Sequence, residues 1–216
     1  MLVEEIMRTE LYTLKETDSI QSAINIIETY QVRHIPVVNE QNHCIGIISD
    51  RDIRSAIPSI LSNKKDMEIF QTPVHFIMTE DVITAHPLDF LEEVCAYFYK
   101  YQIGCLPIVK EDKLVGIVTE TDVLTTFVRL TGADQPGSQV EIRLQNTPGS
   151  LAKVVNMFNN FNVNIQSVLL YPDQKNPDKK IIVFRLDTIN PTPIIQALKD
   201  EQFDVLWPNF PGMTYE

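Results

Sequence analysis

The sequence has no apolar run approaching the roughly 20 residues that a membrane-crossing helix needs. Its start, Met1-Leu-Val-Glu-Glu-Ile-Met-Arg8, lacks the basic opening and apolar core of a secretory signal. Basic residues are scarce: 18 Lys and Arg stand against 29 Asp and Glu, a net charge of −11. An acidic chain repels polyphosphate backbones, which argues against a nucleic-acid binder of the usual basic kind. Small anions are not excluded, because one basic residue or a helix N-terminus can hold them. There are three cysteines, Cys44, Cys95 and Cys105, an odd number without metal-type spacing. They read as reduced core residues, which fits the cytoplasm.

Signatures of catalysis and of resident cofactors are equally sparse. His34, His43, His75 and His86 are scattered and form no His-x-x-x-His pair, so no metal site is expected. No Gly-x-x-x-x-Gly-Lys loop and no Gly-x-Ser-x-Gly elbow occurs. The acidic neighbours Glu4-Glu5 and Glu92-Glu93 point apart and do not converge as an acid/base pair. Tyr97, Phe98, Tyr99 and Tyr101 read as core and interface packing. No segment is of low complexity.

What the chain does contain is an internal copy. Val3–Ile53 recurs as Val74–Val123. Val3-Glu-Glu-Ile-Met7 aligns with Val74-His-Phe-Ile-Met78, and Ile35-Pro-Val-Val38 with Leu106-Pro-Ile-Val109. After one deleted residue, Gly46-Ile-Ile-Ser-Asp-Arg-Asp52 aligns with Gly116-Ile-Val-Thr-Glu-Thr-Asp122. One copy of such a unit rarely buries its whole apolar face, whereas two can pack together and form related clefts.

Each copy reads helix, strand, strand, helix. Ile20, Ala23, Ile24 and Ile27 form one apolar helical face, and Leu91, Val94, Cys95 and Phe98 form the other. Asp18 and Ser19 supply N-cap chemistry for the first, and Pro87 and Asp89 suit the first turn of the second. Strands are expected at Ile35–Val38 and Cys44–Ile48, and at Leu106–Val109 and Leu114–Val118. Gly46 and Gly116 each sit inside a strand, which often marks close approach by another group. Short helices should follow from about Arg51 and Thr121. Residues 57–73, with Pro58 and Pro73, read as the connector, and Thr131–Gly137 ends the repeated part.

The remainder has the order βαββαβ, an antiparallel sheet with two helices on one face. Strands are expected at Val140–Leu144, Ile165–Tyr171, Ile181–Leu186 and near Asp204–Trp207. One helix carries Leu151, Val154, Val155 and Phe158; the other opens at Asn190-Pro-Thr-Pro193. Pro208 and Pro211 suggest a loose tail.

The most specific constellation is the pair of Gly-x-x-[Ser/Thr]-x-x-Asp endings. A hydroxyl ends a strand and a carboxylate follows in the first helical turn. An aspartate there can accept two hydrogen bonds from a ribose diol, while the hydroxyl and the helix-start N–H groups meet phosphate. Ser/Thr-x-x-Asp is also close to a capping box, which binds nothing. Both readings stand at this point.

With Met7 and Met78, Ile35-Pro36 and Leu106-Pro107, and the two Gly endings, both copies resemble CBS motifs, and the pair resembles a Bateman module. Asn146-Thr-Pro-Gly149-Ser-Leu151 within βαββαβ resembles an ACT domain. The resemblance implies an α/β and α+β chain: CBS motifs at 1–60 and 72–131, then a ferredoxin-like ACT domain at 139–208. It implies two clefts that in many members bind AMP, ADP or ATP, and sometimes S-adenosylmethionine. Asp52 and Asp122 become ribose ligands, with Ser49 and Thr119 beside ribose and phosphate. The backbones around Ile35-Pro36 and Leu106-Pro107 read adenine, and Thr13 and Thr84 end the first short strand of each copy.

Copy one has Arg33, His34, Arg51 and Arg54 near its motif, where copy two has Gly104, Cys105, Glu120 and Thr121 at nearby or equivalent positions. Phosphate prefers the cationic set, so unequal sites are expected; alternatively Arg33 and Arg54 are solvated surface charges. In the ACT domain Asn146, Gly149, Ser150 and Leu151 would hold an effector, often an amino acid, or the domain only pairs subunits. The whole arrangement resembles the acetoin utilization protein (AcuB) family. That implies a non-enzymatic, cytoplasmic, homodimeric regulator with an unidentified protein partner, needed for growth or sporulation on acetoin or butanediol. An enzyme of acetoin breakdown and a ligand-free adaptor are the alternatives.

Overall fold

In the computed structural model, which describes residues 1–57 and 64–208, the first repeated helix begins where a hydroxyl can cap it. Ser19 Oγ accepts the Ser22 N–H at 3.2 Å and opens α1 (Ile20–Tyr30), whose inner face buries Ile20 and Ala23. β1 (His34–Val38) and β2 (Cys44–Ser49) pair antiparallel, and α2 (Asp50–Ala56) follows directly. The second copy repeats the order as α3 (Leu91–Tyr101), β3 (Cys105–Lys110), β4 (Lys113–Thr119) and α4 (Glu120–Thr131). Both hairpins carry an irregularity at the same aligned place, Val37/Val38 and Ile108/Val109. The deletion in copy two falls in the turn. Glu111 and Asp112 both adopt positive φ, 51° and 63°, as a two-residue hairpin turn matched to strand twist requires.

Asp18 and Asp89 do other work than expected. Each closes the turn before its helix, accepting the Lys15 and His86 N–H respectively, both at 2.7 Å. Pro87 lies in that turn too, outside α3, whose first free N–H groups are met differently: Glu93 Oε2 accepts the Phe90 N–H at 2.9 Å. Among the helix aromatics Phe98 is buried and Tyr97 packs against the same core, while Tyr99 is 83% exposed. Cys105 is buried, Cys44 and Cys95 are half-buried, and all three are free thiols.

The copies complete each other. The single 3-10 turn Val3–Glu5 of copy one is held by copy two, through Val3 N–H to Asp89 O at 2.9 Å and Glu4 N–H to Pro87 O at 3.0 Å. The turn Val74–Phe76 is held in return by Asp18 O, at 2.7 Å from the Val74 nitrogen. Val3, fully buried, therefore sits in the core with Val94, Leu106 and Ile108, and Val74 in the core with Ile20, Ile35 and Ile48. Each such valine contributes about 1.5–3 kcal/mol of apolar burial. Of the expected connector, Lys64–Gln71 is a 3-10 helix whose Ile69 packs on the first core; Pro58 lies outside the described residues.

By contact clustering the chain forms two units, Met1–Leu124 and Thr125–Glu216. In the second, β5 (Ser138–Gln145), α5 (Ser150–Asn159), β6 (Ile165–Pro172), β7 (Lys179–Leu186), α6 (Thr192–Asp200) and β8 (Asp204–Trp207) give the βαββαβ order. The sheet runs β6-β7-β5-β8, all antiparallel. Val140, Ile142 and Leu144 alternate inward and meet Val154, Phe158, Ile194 and Leu198 from the helices. Leu151 does not join them; it is 40% exposed at the start of α5. Asp173, in a loop that reads as polar, is buried and accepts Arg143 Nε–H at 2.7 Å, while Arg143 Nη1 donates to Asp204 at 2.9 Å. The expected tail from Pro208 is described only at that residue; Pro211 lies outside.

Candidate functional site

Both hydroxyl-to-helix junctions are built as caps. Ser49 Oγ accepts the Asp52 N–H at 3.2 Å, and Asp52 Oδ2 accepts the Ser49 N–H at 2.8 Å and its hydroxyl at 2.6 Å. Thr119 and Asp122 repeat this at 3.3, 2.9 and 2.6 Å. In each case one carboxylate oxygen, Oδ2, does the capping, and Oδ1 takes no part in the cap.

Here the copies diverge. Asp122 Oδ1 accepts from Arg8 Nε and lies 2.8 Å from Arg8 Nη2 as well. The position aligned with Arg8 in copy two is Thr79, so Asp52 has no corresponding arginine. The Asp122 side chain is 12% exposed and that of Arg8 58%.

A cleft of about 720 Å³ opens in the first unit. It is lined by Met7–Tyr12, Tyr30–His34 and Pro36 from copy one and by Gly104, Ile117 and Thr119–Thr121 from copy two. The cleft is thus shared. The strand opening of copy one faces the helix start of copy two. Gly104 makes this approach possible: a Cβ there would stand 3.3 Å from His34 Cε1. Burial holds the His34 imidazole below its ordinary value, against the opposite pull of Asp50, Asp52 and Glu120. Tyr12 and Tyr30 stack at the cleft with ring centroids 3.8 Å apart.

Of the residues singled out in the sequence, Arg33, His34, Pro36, Thr119 and Thr121 line this cleft. Ile35, Leu106, Cys105 and Pro107 are buried strand residues. Thr13 precedes Leu14, whose N–H donates to Pro36 O at 3.1 Å; Thr84 precedes Ala85, which does the same to Pro107 O. The expected first short strand of each copy is therefore a single bridge. Arg51 is exposed on α2 and does not line the cleft, and Arg54 pairs with Asp50 one turn away. The sequence reading missed Arg8, Tyr12 and Tyr30. The substitution of Thr79 for Arg8 between otherwise aligned copies was the available signal.

In the second unit Gly149 adopts φ 84° at the N-cap of α5, and a Cβ there would meet nothing within 4 Å. Backbone conformation, not a crowded ligand site, asks for glycine at this place. Asn146 is exposed, Ser150 Oγ lies 2.8 Å from Thr147 Oγ1, and Leu151 faces solvent. A second cavity of about 710 Å³ lies at the helix ends, lined by Lys153, Asn156, Phe161, Asp200 and Phe203 among others, and by none of those four residues.

Duplicated helix-strand-strand-helix units sharing a cleft, followed by a βαββαβ domain, define a tandem CBS pair with an ACT domain. The CBS domain family matches residues 3–59 and 74–129 and the ACT domain family residues 138–202. The chain belongs to the CBS domain family. The acetoin utilization protein AcuB of Vibrio cholerae has a solved structure similar over 62% of this chain and 96% of that one, at 32% identity and TM-score 0.54. The CBS pair of protein MJ0100, solved in complex with 5′-methylthioadenosine and S-adenosyl-L-methionine, covers 62% of this chain and 98% of that one, at 29% identity and TM-score 0.52.

Among curated relatives, protein MJ1225 of Methanocaldococcus jannaschii is 36% identical over 132 residues, 61% of this chain and 43% of that protein. The chain spans less than half the length of the curated relatives it first matches. Several of these relatives bear enzyme names; the homoserine O-acetyltransferases of Methanococcus vannielii and Methanobrevibacter ruminantium share only 25% and 24% of their length with the chain. Among the described residues, no helix is long and apolar enough to cross a membrane.

Proposed function

We propose that this chain is a non-enzymatic regulator whose CBS pair binds an adenine nucleotide, AMP, ADP or ATP, in the shared cleft. The observation that carries the reading is the cleft itself. It gathers two arginines, an aromatic pair and the start of a helix in one space. A nucleotide needs those three things: cations and free N–H groups for phosphate, and flat apolar surface for the base. A related pair in complex with adenosine-based ligands supports the same choice. Asp52 and Asp122, which lie behind the lining of that cleft, serve the ribose through Oδ1, the oxygen left outside the cap, Asp122 doing so once Arg8 moves off it. The ACT domain pairs two copies through β6, or takes an amino acid near Asn146–Leu151. The output is control of a protein partner in acetoin or butanediol use, in the cytoplasm. Coupling of about 1–3 kcal/mol between such sites would alter partner affinity 5- to 150-fold.

Calorimetric titration of the full chain with AMP, ADP, ATP and S-adenosylmethionine tests this. Asp52→Asn and Asp122→Asn should each weaken nucleotide binding by about 10- to 150-fold, the cost of a charge-assisted hydrogen bond. The caps give specific support to the competing reading of a ligand-free adaptor, since both carboxylates have a structural task. No binding, and no rise in melting temperature with any of the four, would favour that adaptor. Turnover of acetoin by purified protein with nicotinamide or thiamine cofactors would make it an enzyme instead.

A further inference from the structure

Arg8 lines the cleft, while Asp122, to which it is bound, does not. The guanidinium therefore covers the carboxylate. Oδ2 of Asp122 is consumed by Thr119, and Oδ1 receives Arg8, so a ribose can reach Oδ1 only by displacing the arginine. We propose that Arg8 is the specificity residue of this cleft: a tethered stand-in for the ribose that yields only to a ligand carrying a phosphate. The inference rests on the nucleotide reading above and deepens it.

Three observations support the exchange. Arg8 is more than half exposed, so a guanidinium that swings away from Asp122 is taken up by water. Asp122 is mostly buried, and a ribose diol, with two donors, can replace the two contacts that Arg8 gives up. Among the described residues, Arg8 and Arg33 are the only Lys or Arg side chains lining the cleft, where Glu10 and Glu120 stand beside them. A freed Arg8 is therefore one of the two cations that phosphate can find there. A phosphate compensates the displaced guanidinium with charge-assisted hydrogen bonds. Adenosine fills the same sugar site yet leaves Arg8 without an anion. Asp52 of copy one has no such device, because the position aligned with Arg8 is Thr79 of copy two.

The test is titration of AMP and of adenosine into wild-type, Arg8→Met, Arg8→Lys and Arg33→Met full-length protein. Arg8→Met keeps the apolar stem and loses the charge. It should weaken AMP about tenfold or more, the cost of a lost charge-assisted contact, and leave adenosine as tight as before or tighter. Arg8→Lys should retain part of the preference, since it keeps the charge without the planar fork. An AMP-to-adenosine ratio unchanged by Arg8→Met, or a ratio that collapses only in Arg33→Met, would overturn the proposal. If wild-type protein binds neither AMP nor adenosine, and none of ADP, ATP and S-adenosylmethionine, the nucleotide reading fails and this inference fails with it. Binding of both with an unmoved ratio refutes the inference alone. Melting temperatures of the variants near wild type would show that the changes in affinity are not loss of fold.

Discussion

Met78 of the second copy fills the space above Gly46 of the first. A Cβ built on Gly46 would stand 2.5 Å from Met78 Sδ. The relation is returned across the pair: a Cβ on Gly116 would stand 2.6 Å from Met7 Sδ. The two strand glycines and the two methionines that open the copies are thus one device, used twice. At Gly46 the three nearest atoms all belong to the flexible Met78 side chain; at Gly116 the backbone oxygen of Arg8 is also near, at 3.3 Å. Gly46→Ala should therefore cost about 1 kcal/mol or less, since the methionine can move and the alanine restricts the unfolded chain. Gly116→Ala should cost more, about 2–3 kcal/mol, because backbone does not give way. Urea denaturation of both variants, and of Gly46→Ala with Met78→Ala, measures this. Equal costs at the two glycines would refute the assignment.

The exchange of leading segments makes a second prediction. Val74 lies in copy two by sequence and in the core of copy one by packing; Val3 is the converse. Val74→Ala should destabilise the first unit by about 2 kcal/mol, from lost burial and the cavity left behind. Hydrogen exchange would locate the damage. Amides of β1 and β2, not those of β3 and β4, should lose protection first in Val74→Ala, and the reverse in Val3→Ala. Faster exchange in the mutated copy's own hairpin would contradict the exchange of segments.

These relations also mark how far the sequence could be read. Apolar spacing reports which face of an element is inward, so α1, α3, both hairpins and the βαββαβ order were legible from residues such as Ile20, Ala23, Val140 and Ile142. It does not report what covers that face. The glycines announced a close neighbour, yet nothing local says that a methionine about 30 to 110 residues away supplies it. Leu151 fits the helical period and still faces solvent, because the period cannot say where the opposing layer ends. Pro87 and Asp89 have helix-start chemistry but serve the preceding turn, where Asp89 finds the His86 N–H first. Arg8 was passed over for a similar reason. Its partner Asp122 is 114 positions away, and only the fold brings them together.

His34 gives the first unit a pH dependence of known sign. Burial lowers its pKa from 6.5, outweighing the attraction of Asp50, Asp52 and Glu120, with Arg33 lowering it further. The unfolded chain therefore takes up a proton that the folded protein resists. Stability should fall as pH drops below about 6.5, continue to fall until the folded imidazole itself titrates, and stay flat with respect to this group above that range. His34→Gln should flatten this part of the curve. Urea midpoints at pH 7.5 and 5.5, compared between wild type and variant, read the effect. An identical drop in both proteins would show that other groups are responsible.

The outer edge of the ACT sheet supplies the last prediction. β6 runs for eight residues at that edge and contains no charged side chain. Val168, Leu169, Leu170 and Tyr171 are each 38–48% exposed. Val168 and Leu170 pair with the core residues Phe184 and Ile182, so they lie on the helix-covered face of the sheet and are nevertheless open. Leu169 and Tyr171 present the other face. The opposite edge, β8, is only four residues long and begins with Asp204. Soluble proteins protect exposed edges with charge, proline or brevity; β6 has only a terminal Pro172. A second β6 laid antiparallel would satisfy its free backbone groups and cover both apolar pairs about one twofold axis. Wild-type protein should therefore sediment as a dimer, and Leu170→Lys, which sets like charges against each other across that axis, should sediment as a monomer with the fold intact by circular dichroism. A monomeric wild type, or a dimer that survives Leu170→Lys, would remove β6 as the pairing surface and leave its uncharged edge for another partner.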